Sequence, residues 1–287
     1  MTVSKEFEIL QDNIRIFRER GALSERQREL CLSELIDRLL TTEQSSKPKG
    51  LYRRFIQVLP NATAADRALF CHRLSVHPRH VATFSAGALP SVEESPSPGT
   101  HGRIALVRNR YNEEALERFS YGVTGAKPSY TPSFADACEE VYAGQSEFCI
   151  LPVENTENGR LFGFYSLLDR YELRICAACD LDTDPGSIRY ALVGKSLPDR
   201  LPKSVSWRLE CSVAAEAGAF PTDILQIAPI FGAQLLKIDS LPVLYDDGLQ
   251  RFYFTFELHR AEALAFDLYL SMEHARYTPI GLYPILQ

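Results

Sequence analysis

Over residues 204–287 the apolar residues change period in an order that few folds satisfy. Val205 to Val213 reads as a strand, Pro221 to Phe231 as a helix, Leu235 to Ser240 and Phe252 to Leu258 as strands, Ala261 to His274 as a helix and Pro279 to Tyr283 as a strand. The order βαββαβ is the ferredoxin-like plan, in which one layer of helices lies against one antiparallel sheet. Gly218 before the first helix and Asp246-Asp247-Gly248 between the middle strands stand where that plan needs tight turns.

Upstream, the chain alternates differently. Ile104 to Val107 predicts a short buried strand and Asn112 to Phe119 a helix behind it. Ser133 opens a helix running to Tyr142, stopped at Gly144, and the strand Phe148 to Val153 follows. A helix (Phe162 to Asp169) and two strands (Leu173 to Ala178 and Arg189 to Val193) complete an alternating α/β unit, for which parallel pairing is the default.

The N-terminal part, Lys5 to about Phe84, is helical. Leu30, Leu32, Leu35, Ile36, Leu39 and Leu40 form a stripe at near-3.6 spacing, with Ser24 and Gln27 as its N-cap pair. Thr63 with Asp66 three residues on has the form of a capping box. The stretch SVEESPSPGTHG, from Ser91 to Gly102, has linker composition. The expected organisation is a helical bundle over 1–88, a linker over 89–102, an α/β unit over 103–198 and the βαββαβ unit over 204–287.

Charge narrows the function classes. A net charge of −6 over 287 residues and a pI near 5.6 argue against a phosphate-backbone binder, so no nucleic-acid partner is expected. No stretch approaches the roughly 18 apolar residues of a membrane span, and Met1 to Phe7 lacks a signal-peptide pattern, so a cytoplasmic protein is expected. Seven scattered cysteines fit reduced, buried thiols better than a disulfide framework. Cys176-x-x-Cys179 lies within or at the end of a predicted strand, not at a helix start, which favours packing over redox chemistry. Cys71, His72, His77 and His80 have no standard zinc spacing, so neither metal nor cofactor is expected.

ILPVENTENGRLFGFYSLLD, at Ile150 to Asp169, resembles the prephenate dehydratase segment in which a strand ends in Pro-x-Glu-Asn-Ser/Thr-x-x-Gly and a helix follows. The upstream PSFADACEEVYAGQSEF is similar to the helix and turn that precede it in that family. Gly218-Ala219-Phe220, Lys237-Ile238-Asp239-Ser240-Leu241-Pro242 and Ile280-Gly281-Leu282-Tyr283-Pro284 resemble, in order, three segments of the ACT domains of those enzymes. The resemblance spans about residues 103 to 287. It implies a truncated α/β lobe of periplasmic-binding-protein type and a C-terminal ferredoxin-like ACT domain, which with the N-terminal helical bundle read from periodicity make an α+β multidomain protein.

The departures bear on chemistry. Family enzymes use the Thr of a Thr-Arg-Phe motif, and here the aligned triplet is Ile188-Arg189-Tyr190; an isoleucine cannot donate a proton to a leaving hydroxyl. Ser187 is adjacent, but one step along a strand is expected to turn it to the other face. The loop Val107 to Asn112 lacks the family's glycines. Only Asp182 to Ser187 stands where the family has most of a second lobe, and a half-cleft exposes its ligand to water. The surface left uncovered is expected to pack against the N-terminal helices or a second subunit.

The resemblance and its departures together imply a non-catalytic regulatory or scaffold protein, homodimeric, sensing an aromatic amino acid such as phenylalanine through Gly218, Ala219, Phe220, Asp239, Ser240, Leu241 and Pro242. Outside the resemblance, the N-terminal helices are expected to dock a protein partner. The alternative is an enzyme acting on prephenate, as a dehydratase or decarboxylase, for which Glu154, Asn155, Ser187 and Arg189 are the candidate catalytic residues.

Overall fold

The computed structural model describes residues 3–20, 25–42, 47–78, 80, 101–198, 200, 206–243 and 248–286. Its elements run α1 (Val3–Arg20), α2 (Glu25–Thr42), α3 (Pro48–Val58), α4 (Ala64–Val76), β1 (Arg103–Val107), α5 (Arg110–Ser120), β2 (Lys127–Thr131), α6 (Phe134–Tyr142), β3 (Phe148–Asn155) and β4 (Gly159–Arg160). There follow α7 (Phe162–Arg170), β5 (Arg174–Asp182), β6 (Ser187–Gly194), β7 (Trp207–Glu216), α8 (Thr222–Ile227) with a 3₁₀ turn (Ala228–Phe231), β8 (Gln234–Pro242), β9 (Leu249–Leu258), α9 (Arg260–Glu273) and β10 (Tyr277–Leu286). Ser24, the Asp246-Asp247 turn and most of the expected linker lie outside the described residues.

These elements form two compact units that are not consecutive in sequence. One gathers residues 1–88 with 221–233 and 264–275, and the other holds 89–220, 234–263 and 276–287. The helical excursions of the βαββαβ segment thus group with the N-terminal helices, whereas its strands group with the α/β segment.

In the helical unit, Leu32, Leu35, Ile36, Leu39 and Leu40 are buried as the stripe requires. Leu30 departs from that expectation: it is 63% exposed, because it stands off the buried arc. Phe55 and Phe70 stack at 4.5 Å between α3 and α4. The Thr63 capping box forms: Thr63 Oγ1 accepts from the Asp66 backbone N–H, and the Asp66 carboxylate accepts from the Thr63 N–H at 2.8 Å. Burial pushes the Asp66 carboxyl up, but the bonds from Thr63 and Arg28 override it and hold it below its ordinary value. Glu273 at the end of α9 accepts from Arg67 at 2.6 Å and from the Tyr52 hydroxyl, tying α9 to α3 and α4. His80 Nε2 bonds the Leu40 carbonyl at 2.9 Å and Cys71 is fully buried in α4. Among the described residues no three His, Cys, Asp or Glu side chains group as metal ligands, and no helix is long and apolar enough to cross a membrane.

The second unit is built on one ten-stranded sheet, ordered β2-β1-β3-β6-β5-β10-β7-β9-β8, with β4 paired to β3. Parallel pairing, the sequence expectation for the α/β segment, holds for β1 with β2 and β3 only. β6 runs antiparallel to both β3 and β5. The reason is the four-residue turn at 183–186, closed by Thr183 N–H to Gly186 O at 2.8 Å: strands joined so tightly can only be antiparallel. Strands β2 and β4 escaped the sequence reading because one is mostly polar and exposed and the other has two residues.

The last four strands take the ferredoxin-like order β10-β7-β9-β8, all antiparallel. β10 also pairs in parallel with β5, so both strand sets share one sheet. Gly281 makes that seam possible, since a Cβ there would stand 2.6 Å from the Ile175 carbonyl oxygen, well inside contact distance.

The sheet is rolled, not flat. Six strand steps separate β3 from β8, about 29 Å at roughly 4.8 Å per strand. Yet Glu154 on β3 touches Lys237 on β8 at 2.7 Å. The right-handed twist of a wide sheet has accumulated into a trough. Its inner face carries Val153, Tyr165, Ala191 and Tyr283 with α6 and α7, and Tyr253 of β9 packs into the same cluster. The outer face carries Ile104, Phe148, Tyr190 and Leu192 under α5. The surface over the α/β segment is therefore met by the C-terminal strands of the same unit.

Candidate functional site

Strand alternation sets which side chains enter the trough. On β6, Ala191 and Val193 lie in the inner cluster, and Ile188, Tyr190 and Leu192 in the outer. Arg189 therefore points inward with Ser187, and Ile188 points away. Ser187 lies on the face opposite Ile188, as alternation along the strand requires, and its backbone serves Thr156, donating to Thr156 Oγ1 at 3.1 Å and accepting from Thr156 N–H at 3.1 Å. Gly186, at φ +92°, leaves room for that threonine, since a Cβ there would stand 2.0 Å from its hydroxyl oxygen. Asn155 Oδ1 accepts from the Asn158 N–H at 2.6 Å, so it shapes the turn into β4.

Glu154 and Arg189 are brought together. Arg189 Nη1 meets Glu154 at 3.0 Å, and its remaining fork grips Asp180 at 2.7 and 2.9 Å. From the other side Lys237 Nζ donates to Glu154 at 2.7 Å and stands 3.8 Å from Asp239. Burial pushes the Glu154 carboxyl up, but the Lys237 hydrogen bond and the charges of Arg189, Lys237 and Arg160 override it, so it is held below the usual carboxylate value. It is an acceptor locked between two cations, and a poor proton donor.

Deeper in the trough lies a buried ion pair. Arg160 of β4 meets Glu210 of β7 at 2.8 Å, both side chains being at most 3% exposed. Arg160 also donates to Thr255 at 2.6 Å, stands 3.5 Å from Asp239, and lies over the rings of Tyr165 and Tyr253. The Tyr165 and Tyr283 hydroxyls each donate to Glu210 at 2.8 Å. Burial, then the Glu210 charge, pushes both phenols far above their ordinary value, so they remain donors.

A cleft of about 280 Å³ opens onto this web, lined by Val153, Glu154, Arg189, Arg208, Leu236, Lys237, Thr255 and Tyr283 among others. Arg208 differs from the other cations here in having no carboxylate partner among the described residues. Arg160, Arg189 and Lys237 each hold two carboxylates. The Nε of Arg208 is buried without a hydrogen-bond partner, and no carboxylate among the described residues pairs with it.

The seven expected ligand residues lie on β8 and on the turn before α8. Asp239 and Leu241 pair with Tyr253 and Arg251 and so face the trough, whereas Ser240 pairs with Phe252 on the other face. Phe220 packs edge-on against Phe252, and Ala219 closes a turn on Glu216 beside Gly218, which has φ +87°. Leu241 and Pro242 border a separate cleft of about 750 Å³ with Arg251 and Tyr253. Cys176 and Cys179 are buried in β5, their thiols pushed up to about 12 chiefly by burial. Arg108 and Arg110 of the first loop lie over Tyr130 and Tyr111.

Arg160, Lys237 and Tyr283 stood inside segments already singled out, but Arg208 and Glu210 left no signal. A charge in a strand reads as solvated until the sheet is seen to roll over it.

The prephenate dehydratase family profile matches residues 108–195. No curated protein matches the chain in sequence. Among solved structures, the crystal structure of prephenate dehydratase from Streptococcus mutans is 20% identical with a TM-score of 0.54, over 64% of this chain and 99% of that one. A protein described as a novel type of quorum quenching acylase is 18% identical with a TM-score of 0.50, over 63% of this chain and 94% of that one. At these identities the likeness is one of fold.

Proposed function

We propose that this chain, whose residues 108–195 match prephenate dehydratase, is a relative of those enzymes that does not turn over prephenate and works as a regulatory or scaffold protein. The observation that carries the reading is the state of Glu154, clamped between Arg189 and Lys237 and held ionised. An acid-assisted loss of hydroxide needs a proton donor beside the leaving oxygen. On the inner face the groups nearest Glu154 are Arg189 and Lys237, each engaged by two carboxylates, and the triplet position where the family carries threonine is Ile188, packed on the outer face. The short turn between β5 and β6 supports the same reading, because nothing inserted there could form an opposite wall.

The test is a prephenate assay on the purified full chain, following phenylpyruvate by its ultraviolet absorbance. Expected is a rate no greater than that of buffer, both for the parent and for Ile188→Thr, since a threonine on the outer face cannot reach the web. Turnover above buffer that disappears in Glu154→Gln would overturn the reading and return the chain to the enzymes.

A further inference from the structure

We propose that the cleft beside Arg208 is a binding site for a small organic carboxylate with an apolar body. The proposal deepens the non-catalytic reading by giving the rolled sheet a ligand, and its test uses acids that cannot be dehydrated.

Three observations converge. The first is the unmatched guanidinium: Arg208 Nε is buried with no partner, although a buried donor without an acceptor costs about 1–3 kcal/mol. Arg160 Nη1 also lacks a hydrogen bond but stands 3.5 Å from the Asp239 carboxylate, and Arg160, Arg189 and Lys237 each engage two carboxylates, whereas Arg208 engages none among the described residues. The second is placement. Arg208 pairs directly with Tyr283 across β7 and β10 and so shares its face, and both residues line the cleft. The Tyr283 hydroxyl is committed to Glu210, which leaves its ring, with Val153 and Leu236, as the apolar part of the wall. The third is size. At about 280 Å³ the cleft stands at the low end for small-molecule sites, roughly 300–1,000 Å³, which suits an acid of one ring or a short branched chain.

A carboxylate is favoured over a phosphate by the charges already present. The lining carries Glu154 and Glu210 against Arg189, Arg208 and Lys237, and Glu154 takes up Arg189 and Lys237. One guanidinium fork is left, which matches the two oxygens of one carboxylate. A dianion would meet two fixed carboxylates with a single unmatched cation.

The experiment is isothermal titration calorimetry of the full chain at pH 7 with phenylacetate, 4-methylvalerate, acetate, 2-phenylethanol and inorganic phosphate. Saturable one-to-one binding is expected for phenylacetate or 4-methylvalerate, with acetate weaker for want of an apolar body and no heat from 2-phenylethanol. Arg208→Gln should weaken binding of the acid by about tenfold or more, the usual effect of losing a charged hydrogen bond. It should leave the melting temperature at or above the parent value, because Arg208 holds no group of the protein. Arg208→Lys, which keeps the charge without the fork, should fall between the two and stands in if the glutamine variant does not fold. Absence of binding by every acid, binding unchanged in both variants, or phosphate binding as tightly as the best acid would each overturn the proposal. Prephenate turnover with intact acid binding at Arg208 would overturn the non-catalytic reading alone.

Discussion

Replacing Arg160 by methionine tests the rolled sheet at its most committed contact. Arg160 sits on the two-residue strand β4 and reaches Glu210 of β7 at 2.8 Å and Thr255 of β9 at 2.6 Å. Methionine approximates the stem and keeps packing against Tyr165 and Tyr253, so the change removes mainly charge and donors. Glu210 would then be a carboxylate about 3% exposed, holding two tyrosine hydroxyls and no cation. Removing one partner of a buried ion pair costs about 3–5 kcal/mol, since the survivor keeps its desolvation penalty. For a unit of this size each kcal/mol lowers the melting temperature by about 2–4 °C, so a drop of about 6–20 °C is expected in differential scanning calorimetry. Arg160→Met combined with Glu210→Gln should recover most of the loss, because the neutral amide oxygen still accepts from a tyrosine and no buried charge remains. A single Arg160→Met variant within about 1 kcal/mol of the parent would show that the pair is not buried in solution, and the trough geometry would fall with it.

Two further outcomes follow from the same electrostatics. Glu154 and Asp66 are both held below their ordinary values, so the unfolded chain binds more protons than the folded one as pH falls. Their contribution is complete above the free carboxylate value of about 4 and is lost as pH drops through the folded values. Lys237→Met removes the hydrogen bond that lowers Glu154, so acid unfolding followed by circular dichroism should begin at higher pH; an unchanged acid midpoint would count against the clamp. In the helical unit, Glu273→Gln weakens the bonds from Arg67 and Tyr52 and should cost about 1.5–3 kcal/mol in urea unfolding, the range for hydrogen bonds to a charged group. No loss would mean that α9 is not tied to α3 and α4 through this residue.

Local chemistry was legible before any coordinates. The Thr63 capping box, the Ser133 N-cap and the six elements from β7 to β10 follow from spacing, because caps and amphipathic periods act within a few residues. So does the strand order β10-β7-β9-β8, which the βαββαβ pattern implies once its strands pair. The motif residues Glu154 and Arg189 could be read as neighbours only through resemblance, and the structure joins them at 3.0 Å. Asn155, quoted in the same motif, turns out to serve a local turn.

What the residues determine by themselves is the set of elements, their caps and the absence of a hydroxyl at position 188. Only the tertiary structure decides that β10 bridges the two strand sets, that the later helices join the N-terminal unit, and that Arg160, Arg208, Glu210 and Lys237 meet in one trough. The physical reason is distance along the chain. Period and capping report contacts between near neighbours, whereas a parallel seam admitted by Gly281 and an ion pair spanning 50 residues depend on how far a wide sheet twists, which no local pattern records.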